Sequence, residues 1–368
     1  MKNIYRTITA TLLLVIVLAF NTANAGNADR SGQAAAAHLL INPWAAGNGW
    51  GNAGISFTKG LEATYTNVAG MAFTRKTDIG YSNTMYNVGS QTMINGFGIV
   101  QNLGKDGARG NLGLSVMIMS FGEIERTTVD MPEGGSGYFS PVVSNIGLSY
   151  ARSFSDAVHV GASFKLINEQ ITNVSAMGFA IDLGVQYVMG KKDQFRLGVV
   201  LKNIGLPMRY SGDGMALRAY LNGNKFPHTI DVPSEASEMP ALLGLGLSYD
   251  FLFGSKNGIP TKDLRREDAM HRITLAGSYI ANAYSKDQFI IGLEYSLLDY
   301  FQVRGGYTIE GFNTEKSITN LSGPSAGASL LAPLSKDKNR PSRLAFDYSY
   351  RFTNSWNGCH AIGVRIIL

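Results

Sequence analysis

The sequence predicts an all-β fold, a transmembrane β-barrel of fourteen antiparallel strands. Three observations lead to this prediction: an export signal at the amino terminus, alternation of apolar and polar residues along most of the chain, and no other apolar stretch that approaches the length of a membrane helix. Such a chain can span a bilayer only as a closed barrel, because backbone groups in lipid need partners within the protein. The apolar side chains would then face lipid, and the polar ones the interior.

The amino terminus carries the features of a secretory signal peptide. Two basic residues, Lys2 and Arg6, precede an apolar core at 8–20, and an A-x-A cleavage site ends at Ala25. The apolar core is shorter than the roughly 20 residues that a membrane-spanning helix needs. We therefore expect residues 1–25 to be removed on export, and the mature chain to reside in a bacterial outer membrane.

Composition narrows the possible functions. The chain of 368 residues contains 43 glycines and 16% charged residues, and its formal net charge is +5. This charge is too weak to indicate a nucleic-acid partner. The five histidines lack metal-ligand spacing, and the single cysteine, Cys359, provides no disulfide framework. We expect no cofactor and no metal, and we expect outer-membrane lipid as a partner.

Alternation is clearest in two stretches. Along 343–352 each even-numbered residue is apolar or aromatic, and each odd-numbered one is charged or small. Between Met177 and Tyr187, large apolar residues alternate with small or polar ones. Successive side chains of a strand point to opposite faces, so each stretch has one apolar face. The same criterion predicts fourteen strands, at 78–86, 91–103, 110–121, 142–153, 157–171, 176–189, 195–204, 240–252, 271–281, 287–297, 300–310, 324–332, 342–352 and 359–368.

The lengths of the connections between these strands indicate a topology. An even number of strands places both ends of the barrel in the periplasm, and the connections after odd-numbered strands should then face outward and be the longer ones. The long connections at 122–141, 205–239 and 311–323 fit this expectation. The polar insertion at 254–270 is the exception, because this topology assigns it to the periplasm.

Charged residues occupy the face opposite to the apolar one on several strands. Because unpaired charge in a crowded interior is unfavourable, we expect these residues to pair with one another and with the segment that precedes the barrel. The alternative is a hydrated passage with a weak anion preference. The predicted interior set is Lys165, Asp182, Arg196, Lys202, Asp250, Arg272, Glu294, Arg304, Asp347, Arg351 and Arg365.

Two motifs that can indicate catalysis or nucleotide binding lack the context they need. A G-x-G-x-x-G pattern begins at Gly49, but no βαβ unit surrounds it. A G-x-S-x-G pattern occupies 323–327, with Asp347 and His360 downstream, but it requires a strand-to-helix turn in an α/β fold. We therefore predict that the protein is not an enzyme.

The outward connection at 205–239 is rich in residues suited to binding another protein. Aromatic and arginine side chains bury a large area at modest entropic cost, which makes them frequent anchors of interfaces. The same residues could equally fold over the mouth of the barrel. The candidates for partner or cargo contact are Arg209, Tyr210, Tyr220 and Phe226, with Met208 and His228 in the same loop.

Two sets of motifs resemble a known family. The glycine-rich stretch from Gly47 is followed by 66–70, Thr-Asn-Val-Ala-Gly, which is similar to the W-N-P-A-G-like motif of FadL-like barrels of the PorV/PorQ type. The asparagine, alanine and glycine match, whereas tryptophan and proline are replaced. Further similarity to strand pairs of this family occurs at 182–187 with 196–205, and at 292–295 with 303–307.

The resemblance implies a fourteen-stranded outer-membrane barrel with its amino-terminal segment tucked into the lumen. The chain would divide into a signal peptide at 1–25, a plug-like segment at 26–76 and the barrel at 77–368. The resemblance further implies a part in type IX secretion of Bacteroidota. In that role the barrel binds the C-terminal domain of exported cargo, or a protein of the secretion machinery, and passes cargo to surface attachment.

The leading hypothesis from the sequence is thus a non-enzymatic barrel for protein export. The alternative is a FadL-type transporter of hydrophobic small molecules, which would need a continuous apolar path from an outer loop through the lumen. A general porin comes third, because it should lack the glycine-rich segment and carry a constriction loop with clustered charges.

Overall fold

The computed structural model describes residues 28–104, 109–220, 226–232, 234–256, 260, 264–310, 320–335, 342–354 and 356–368. The predicted signal peptide at 1–25 and its cleavage site lie outside the described residues. No helix among the described residues has the length and apolar character to cross a membrane.

Fourteen long strands form a closed antiparallel barrel, as the sequence predicts. Each strand pairs with its neighbours in the chain, and β14 closes the barrel on β1, with Ile367 opposite Asp78. The strands are β1 Thr77–Tyr86, β2 Thr92–Asn102, β3 Asn111–Ser120, β4 Val142–Ser153, β5 Val158–Ile171, β6 Val174–Met189, β7 Phe195–Gly205, β8 Leu242–Ser255, β9 Ala269–Asn282, β10 Gln288–Leu297, β11 Phe301–Glu310, β12 Gly323–Pro333, β13 Arg343–Arg351 and β14 Cys359–Ile367.

The barrel exposes its apolar face and buries its polar face. On β6, the apolar residues Phe179, Ile181 and Leu183 are each more than 40% exposed. The polar residues Asp182 and Gln186 of the same strand point to the opposite face and are at most 1% exposed. A water-soluble sandwich has the opposite arrangement, with apolar side chains inside. The outer surface is therefore suited to contact hydrocarbon.

The observed strand ends differ from the predicted ones at the insertion after β8. Strand β8 runs to Ser255 and β9 begins at Ala269, because these two residues still pair across the hairpin. Backbone pairing thus continues beyond the last alternating side chains, and the predicted connection at 254–270 is shorter in the structure. The predicted strand at 78–86 forms as β1, and its outward Asn83 donates to Asn95 of β2 at 2.9 Å.

The two ends of the barrel differ in their connections. We call the end where β1 begins and β14 finishes the terminal end, where Leu368 N donates to Thr77 O at 2.8 Å. The opposite end, the loop end, carries the three connections predicted to be long, which join β3 to β4, β7 to β8 and β11 to β12. The connection between β7 and β8 contains a small hairpin of its own, Ala216–Ala219 paired with His228–Asp231.

The residues before the barrel form short helical turns that contact the buried face of the strands. At the loop end, Ala35 N donates to Glu238 O at 2.9 Å, and His38 Nδ1 lies 3.3 Å from Glu169 Oε1. The chain then proceeds to β1 at the terminal end, where Leu61 N donates to Asp78 Oδ2 at 2.8 Å. The turns are 3-10 helices at Ala37–Leu40, Gly54–Ser56, Gly60–Glu62 and Val68–Phe73, and α-helices at Ala45–Gly49 and Ala63–Thr66.

A lysine on the outer face tests whether that face meets lipid. Leu183 lies near the middle of β6 and is 47% exposed. Replacing Leu183 with Lys should destabilise the barrel in phospholipid vesicles by about 2–4 kcal/mol, because an ammonium group near the bilayer midplane is costly. Urea titration of the vesicle-inserted protein measures the change.

The matched control is Leu217→Lys on the loop hairpin, where the leucine is 60% exposed. This variant should unfold as the parent protein does, because its lysine meets water. Equal effects of the two substitutions would contradict a lipid-facing β6.

Candidate functional site

Glycines in the wall let the backbone of the amino-terminal residues approach closely. A side chain at Gly161 would place its Cβ 2.6 Å from the carbonyl carbon of Val68, and one at Gly198 would lie 2.7 Å from that of Ile55. Real Cβ atoms do not approach other atoms this closely, so only glycine fits at these two wall positions. We call residues 42–74, which make these contacts, the inner segment.

Asn67 is the main polar link between the inner segment and the wall. Its Nδ2 donates to Ile55 O at 2.7 Å within the segment and to Val185 O of β6 at 3.1 Å. Its Oδ1 accepts from Ala69 N at 3.2 Å, which caps the helical turn that follows. The asparagine of the motif at 66–70 therefore both shapes the turn and binds it to the barrel.

Ion pairs and hydrogen bonds of charged side chains link the neighbouring strands from β7 to β14, and we call this set the charge belt. Arg196 Nη2 lies 3.1 Å from Asp250 Oδ2, and Asp250 also accepts from Thr274 Oγ1 at 2.6 Å. On the next strands, Glu294 lies 3.1 Å from Arg272 Nη2 and 3.2 Å from Arg304 Nε. Positive and negative side chains thus alternate around this part of the wall.

The charge belt continues through a serine to the last strand and reaches the inner segment. Arg304 Nη2 donates to Ser329 Oγ at 2.6 Å, and Ser329 donates to Asp347. Arg365 Nε then lies 2.7 Å from Asp347 Oδ2 and 3.5 Å from Oε1 of Glu62. The belt therefore connects eight strands and the inner segment.

Two residues outside the strands complete the belt near the terminal end. Arg266, from the insertion after β8, donates to Asp250 Oδ2 at 2.8 Å, and Asp299, from the turn after β10, lies 2.6 Å from Arg272 Nη1. The sequence did not indicate either residue, because neither belongs to an alternating pattern. Burial lowers the pKa of Arg266 to about 10, and repulsion from Arg272 acts in the same direction.

A separate polar cluster joins β5, β6 and β7. Lys165 Nζ lies 2.5 Å from Asp182 Oδ2 and donates to Asn203 Oδ1 at 3.0 Å. The backbone at Asn203 adopts a left-handed conformation with φ of 59°, next to a register shift between β6 and β7. Lys202 Nζ lies 3.6 Å from the ring centroid of Tyr65, so an aromatic ring of the inner segment contacts this ammonium group.

The structure places the predicted interior residues on the buried face. Of the eleven residues of this set, ten are at most 6% exposed, and Arg365 is half-buried. Ion pairs join Lys165 to Asp182, Arg304 to Glu294 and Arg365 to Asp347. Arg351 makes no ion pair among the described residues.

Glu62 is the carboxylate that the sequence did not single out. It lies on a 3-10 turn of the inner segment and is 7% exposed. Burial raises the pKa of Glu62 from its ordinary value of 4.5 to about 7, and the nearby Arg365 opposes this increase. Its place in the charge belt follows from the fold alone, because its strand partners are distant in the sequence.

An apolar layer lies beneath the loop end. Met208 and Met239 pack with Ala35, Leu39 and Ile167, and all five are at most 7% exposed. A second cluster beside it contains Met117, Met119, Ile94 and Val143, with Ile41 packed against them. We call these two clusters the methionine layer. Methionine side chains adapt to guests of different shape, because they are unbranched and polarisable.

The space left between the inner segment and the wall is small. One cavity of about 20 Å³ lies between Trp44, Tyr65, Met117 and Lys165. Another, of about 10 Å³, lies near Asn48, Arg351 and Cys359. Volumes of this size suit about one small guest, such as a water molecule.

The predicted contact residues of the β7–β8 connection separate into two groups. Arg209 is exposed, and Tyr220 and Phe226 are 70% and 77% exposed. Tyr210 instead donates from its hydroxyl to Glu169, and Met208 is buried. Met208 is therefore not on an exposed part of the loop, because Ala35 and Leu39 pack against it. Tyr210 is half-buried, and its role in partner contact stays a prediction.

The residues of the G-x-S-x-G pattern do not converge. Residues Gly323–Pro333 form a barrel strand, β12, and Ser325 lies on its buried face. Asp347 lies on the buried face of β13. His360 lies on the outer face, where its Nδ1 is 2.8 Å from Tyr348 Oη. A wall of strands therefore separates the histidine from the serine. Among the described residues, no group of three or more histidine, cysteine or acidic residues could hold a metal ion.

Comparisons with solved structures identify a common fold. The chain is similar to the Pseudomonas putida toluene transporter TodX, with a TM-score of 0.55, 13% identity, and 89% of this chain and 97% of that chain covered. For the CymD monoaromatic hydrocarbon channel the TM-score is 0.52 and the identity 14%, with 89% and 97% covered. For a Pseudomonas aeruginosa FadL homologue the values are 0.50 and 13%, with 87% and 97% covered.

These neighbours are FadL-like outer-membrane barrels, and at this level of identity the likeness is one of fold. No family model and no curated protein matches the sequence. The FadL-like part of the predicted resemblance is therefore confirmed for the fold. The PorV/PorQ part stays a prediction.

Titration of Glu62 should make the stability of the protein depend on pH. Because the folded-state pKa is raised to about 7, the unfolded chain releases this proton first as pH rises. Stability should therefore fall as pH increases from about 4.5 to about 7. Glu62→Gln removes this loss and should be more stable than the parent above pH 7 by on the order of 2 kcal/mol.

Thermal melts of the detergent-solubilised proteins at low and high pH measure this difference. Glu123→Gln is the matched control, because Glu123 is exposed on the connection between β3 and β4. A Glu62→Gln variant with the same pH profile as the parent would contradict the assignment of Glu62.

Proposed function

We propose that this protein is an outer-membrane barrel for the uptake of small hydrophobic molecules, with residues 28–74 acting as a plug in the lumen. The observation that carries the proposal is the methionine layer beneath the loop end, where Met208 and Met239 pack against Leu39. The layer offers an apolar surface next to the opening that faces outward in the predicted topology. Fold likeness to a toluene transporter and a hydrocarbon channel supports the same class of substrate.

The methionine layer has the composition of a binding site for apolar guests. Ligand sites are mostly apolar and hold a few convergent polar groups, and methionine accommodates guests of different shape. Here Glu169, His38 and the Tyr210 hydroxyl form a polar group at the edge of the layer. A small aromatic or aliphatic molecule could take the place of residues 35–41. It would then shield the buried methionines from water as those residues do.

The charge belt explains why uptake would need movement of the plug. Apolar molecules do not cross a layer of paired charges without disrupting it, and the belt lies on the route to the terminal end. Glu62 ties the inner segment to Arg365 in this belt, at 3.5 Å. Cavities of about 10 and 20 Å³ are far smaller than a hydrocarbon molecule. In the proposed cycle, displacement of the plug opens the path that the guest follows.

The same features disfavour a general porin. A porin needs a water-filled channel with accessible charges. Here most charged side chains of the charge belt are paired with one another, as Arg304 and Glu294 are at 3.2 Å. Glycine positions such as Gly161 and Gly198 match the backbone of the segment that packs on them.

Replacing Met208 with Lys tests the proposed route. An ammonium group in the methionine layer should lower uptake of a labelled monoaromatic hydrocarbon into proteoliposomes by about tenfold or more, because burying an unpaired charge is unfavourable. Leu217→Lys is the matched control, since Leu217 is 60% exposed on the loop hairpin. Uptake that is unchanged in Met208→Lys, or lost equally in both variants, would overturn the proposal.

A part in protein export is a second proposal, which the exposed side chains of the β7–β8 connection favour. Arg209, Tyr220 and Phe226 together present a cation and two aromatic rings to solvent, as interface anchors do. The motif at 66–70 adds its resemblance to PorV/PorQ-type barrels. None of the three structural neighbours is described as part of an export system.

Pull-down from envelope extracts tests this second proposal. The parent protein should recover exported proteins that share a C-terminal domain, or proteins of the secretion machinery. Replacing Arg209, Tyr220 and Phe226 together with alanine should reduce this recovery about tenfold or more, because each is a candidate anchor. Met208→Lys provides the control that separates export from uptake, and recovery of no such protein by the parent would contradict export.

A further inference from the structure

One cavity in the interior is lined by polar atoms that have no partners. It lies between the inner segment and strands β1, β13 and β14, toward the loop end, and its volume is about 10 Å³. Its polar lining comes from both sides, and no carboxylate of the described residues contributes to it. The polar lining residues are Asn42, Asn48, Thr84, Tyr86, Ser349, Arg351 and Cys359.

Three of these residues carry buried atoms without a hydrogen-bond partner. They are Thr84 Oγ1, Ser349 Oγ and Arg351 Nε. The three side chains are 2%, 1% and 5% exposed, so bulk water does not satisfy them. Buried polar atoms in folded proteins almost always have a partner, so these three atoms offer hydrogen bonds to a small guest in the cavity.

Arg351 also forms no close ion pair among the described residues, although the buried Glu310 attracts it at longer range. Its Nη2 donates to Leu321 O at 2.8 Å and to Thr308 Oγ1 at 3.3 Å, and both acceptors are neutral. Arg196, Arg304 and Arg365, by contrast, each lie within 3.2 Å of a carboxylate oxygen. A buried guanidinium without an ion-pair partner is destabilising.

Strand register explains why the space exists. Thr84 of β1 lies opposite Ala361 of β14, and Ala361 lies opposite Ser349 of β13. The short alanine side chain between two hydroxyl groups leaves room on the buried face. Arg351 stands one position further toward the loop end on the same face as Ser349, opposite Cys359.

We propose that this cavity binds a small monovalent anion of halide size as the counter-ion of Arg351. The Nε–H group of Arg351 can only donate, and the hydroxyl hydrogens of Thr84 and Ser349 can rotate toward the same point. A monatomic anion accepts from all three. A volume of about 10 Å³ leaves no room for a phosphate or a lipid headgroup.

A water molecule is the competing guest. It would accept from Arg351 Nε and bond to the hydroxyls, but it would leave the guanidinium charge without compensation. The site borders the methionine layer, because Ile41 and Tyr86 line the cavity and pack against that layer. The tests below measure anion binding itself, so their outcome does not depend on uptake.

Crystals of the full mature chain grown in bromide distinguish the two guests. Anomalous diffraction at the bromine edge should reveal one bromide within hydrogen-bond distance of Arg351 Nε and the two hydroxyls. Density without an anomalous signal, which means an ordered water only, would overturn the proposal. Bromide found only on the outer surface would overturn it as well.

Thermal melts in detergent provide the quantitative test. At constant ionic strength, replacing gluconate with chloride should raise the melting temperature of the parent protein with a saturable dependence on chloride. Ser349→Ala and Thr84→Val should each shift the half-saturating chloride concentration upward by about tenfold, because each removes a hydrogen bond to a charged guest.

Two further variants complete the test. Ser248→Ala is the matched control, because Ser248 Oγ is also buried without a partner but lies on β8, away from the cavity. It should keep the chloride dependence of the parent, whereas Arg351→Gln should lose it. A parent protein that melts identically in chloride and gluconate, or variants at Thr84 and Ser349 that respond to chloride as Ser248→Ala does, would contradict an anion site.

Discussion

The need to neutralise charge inside a closed wall is the constraint on which the rest of this structure depends. The outer face of the strands is apolar, so the ionised side chains that β7 to β14 direct inward need compensating partners in the interior. The charge belt meets this need by alternating sign from strand to strand, as in Arg272, Glu294 and Arg304. Each carboxylate that contacts two cations offsets more of the desolvation that burial imposes. The belt also fixes the register of the hairpins, because a one-residue slip would turn its charges toward the apolar face.

The inner segment and the wall have complementary chemistry. Where the segment approaches by its backbone, the wall has glycine, as at Gly161 and Gly198. Where the segment offers a side chain, the wall offers a partner, as in the contact of Glu62 with Arg365. Asn67 links side chain to backbone in two places. Its side chain caps a turn of the inner segment and also donates to the backbone of β6. The interior is therefore polar at the charge belt and apolar at the methionine layer. The proposed uptake of hydrophobic guests depends on this difference between the two ends.

Strand positions and the buried face could be predicted because lipid and interior select opposite residue types with a period of two. The alternation from Met177 to Tyr187 is long enough to specify both strand and face. Residues outside this pattern were missed or misplaced. Arg266 and Asp299 lie in connections, where no periodicity indicates direction, and Met208 is buried only because distant residues cover it. The type IX role rests on a short motif, and a motif of this length specifies a local turn better than it specifies a partner.

The sequence by itself determined that the chain is a barrel of fourteen strands with one apolar face, because hydrogen bonding in lipid and side-chain alternation are local requirements. It also indicated the buried face of the strands, on which charged residues such as Asp182 and Glu294 lie. Only the tertiary structure decided which of them meet. Glu62 contacts Arg365, whereas Arg351 has no carboxylate partner among the described residues. The physical reason is the closure of the barrel. When β14 pairs with β1 and the inner segment packs inside, residues from opposite ends of the chain come into contact, and no local sequence pattern predicts such contacts.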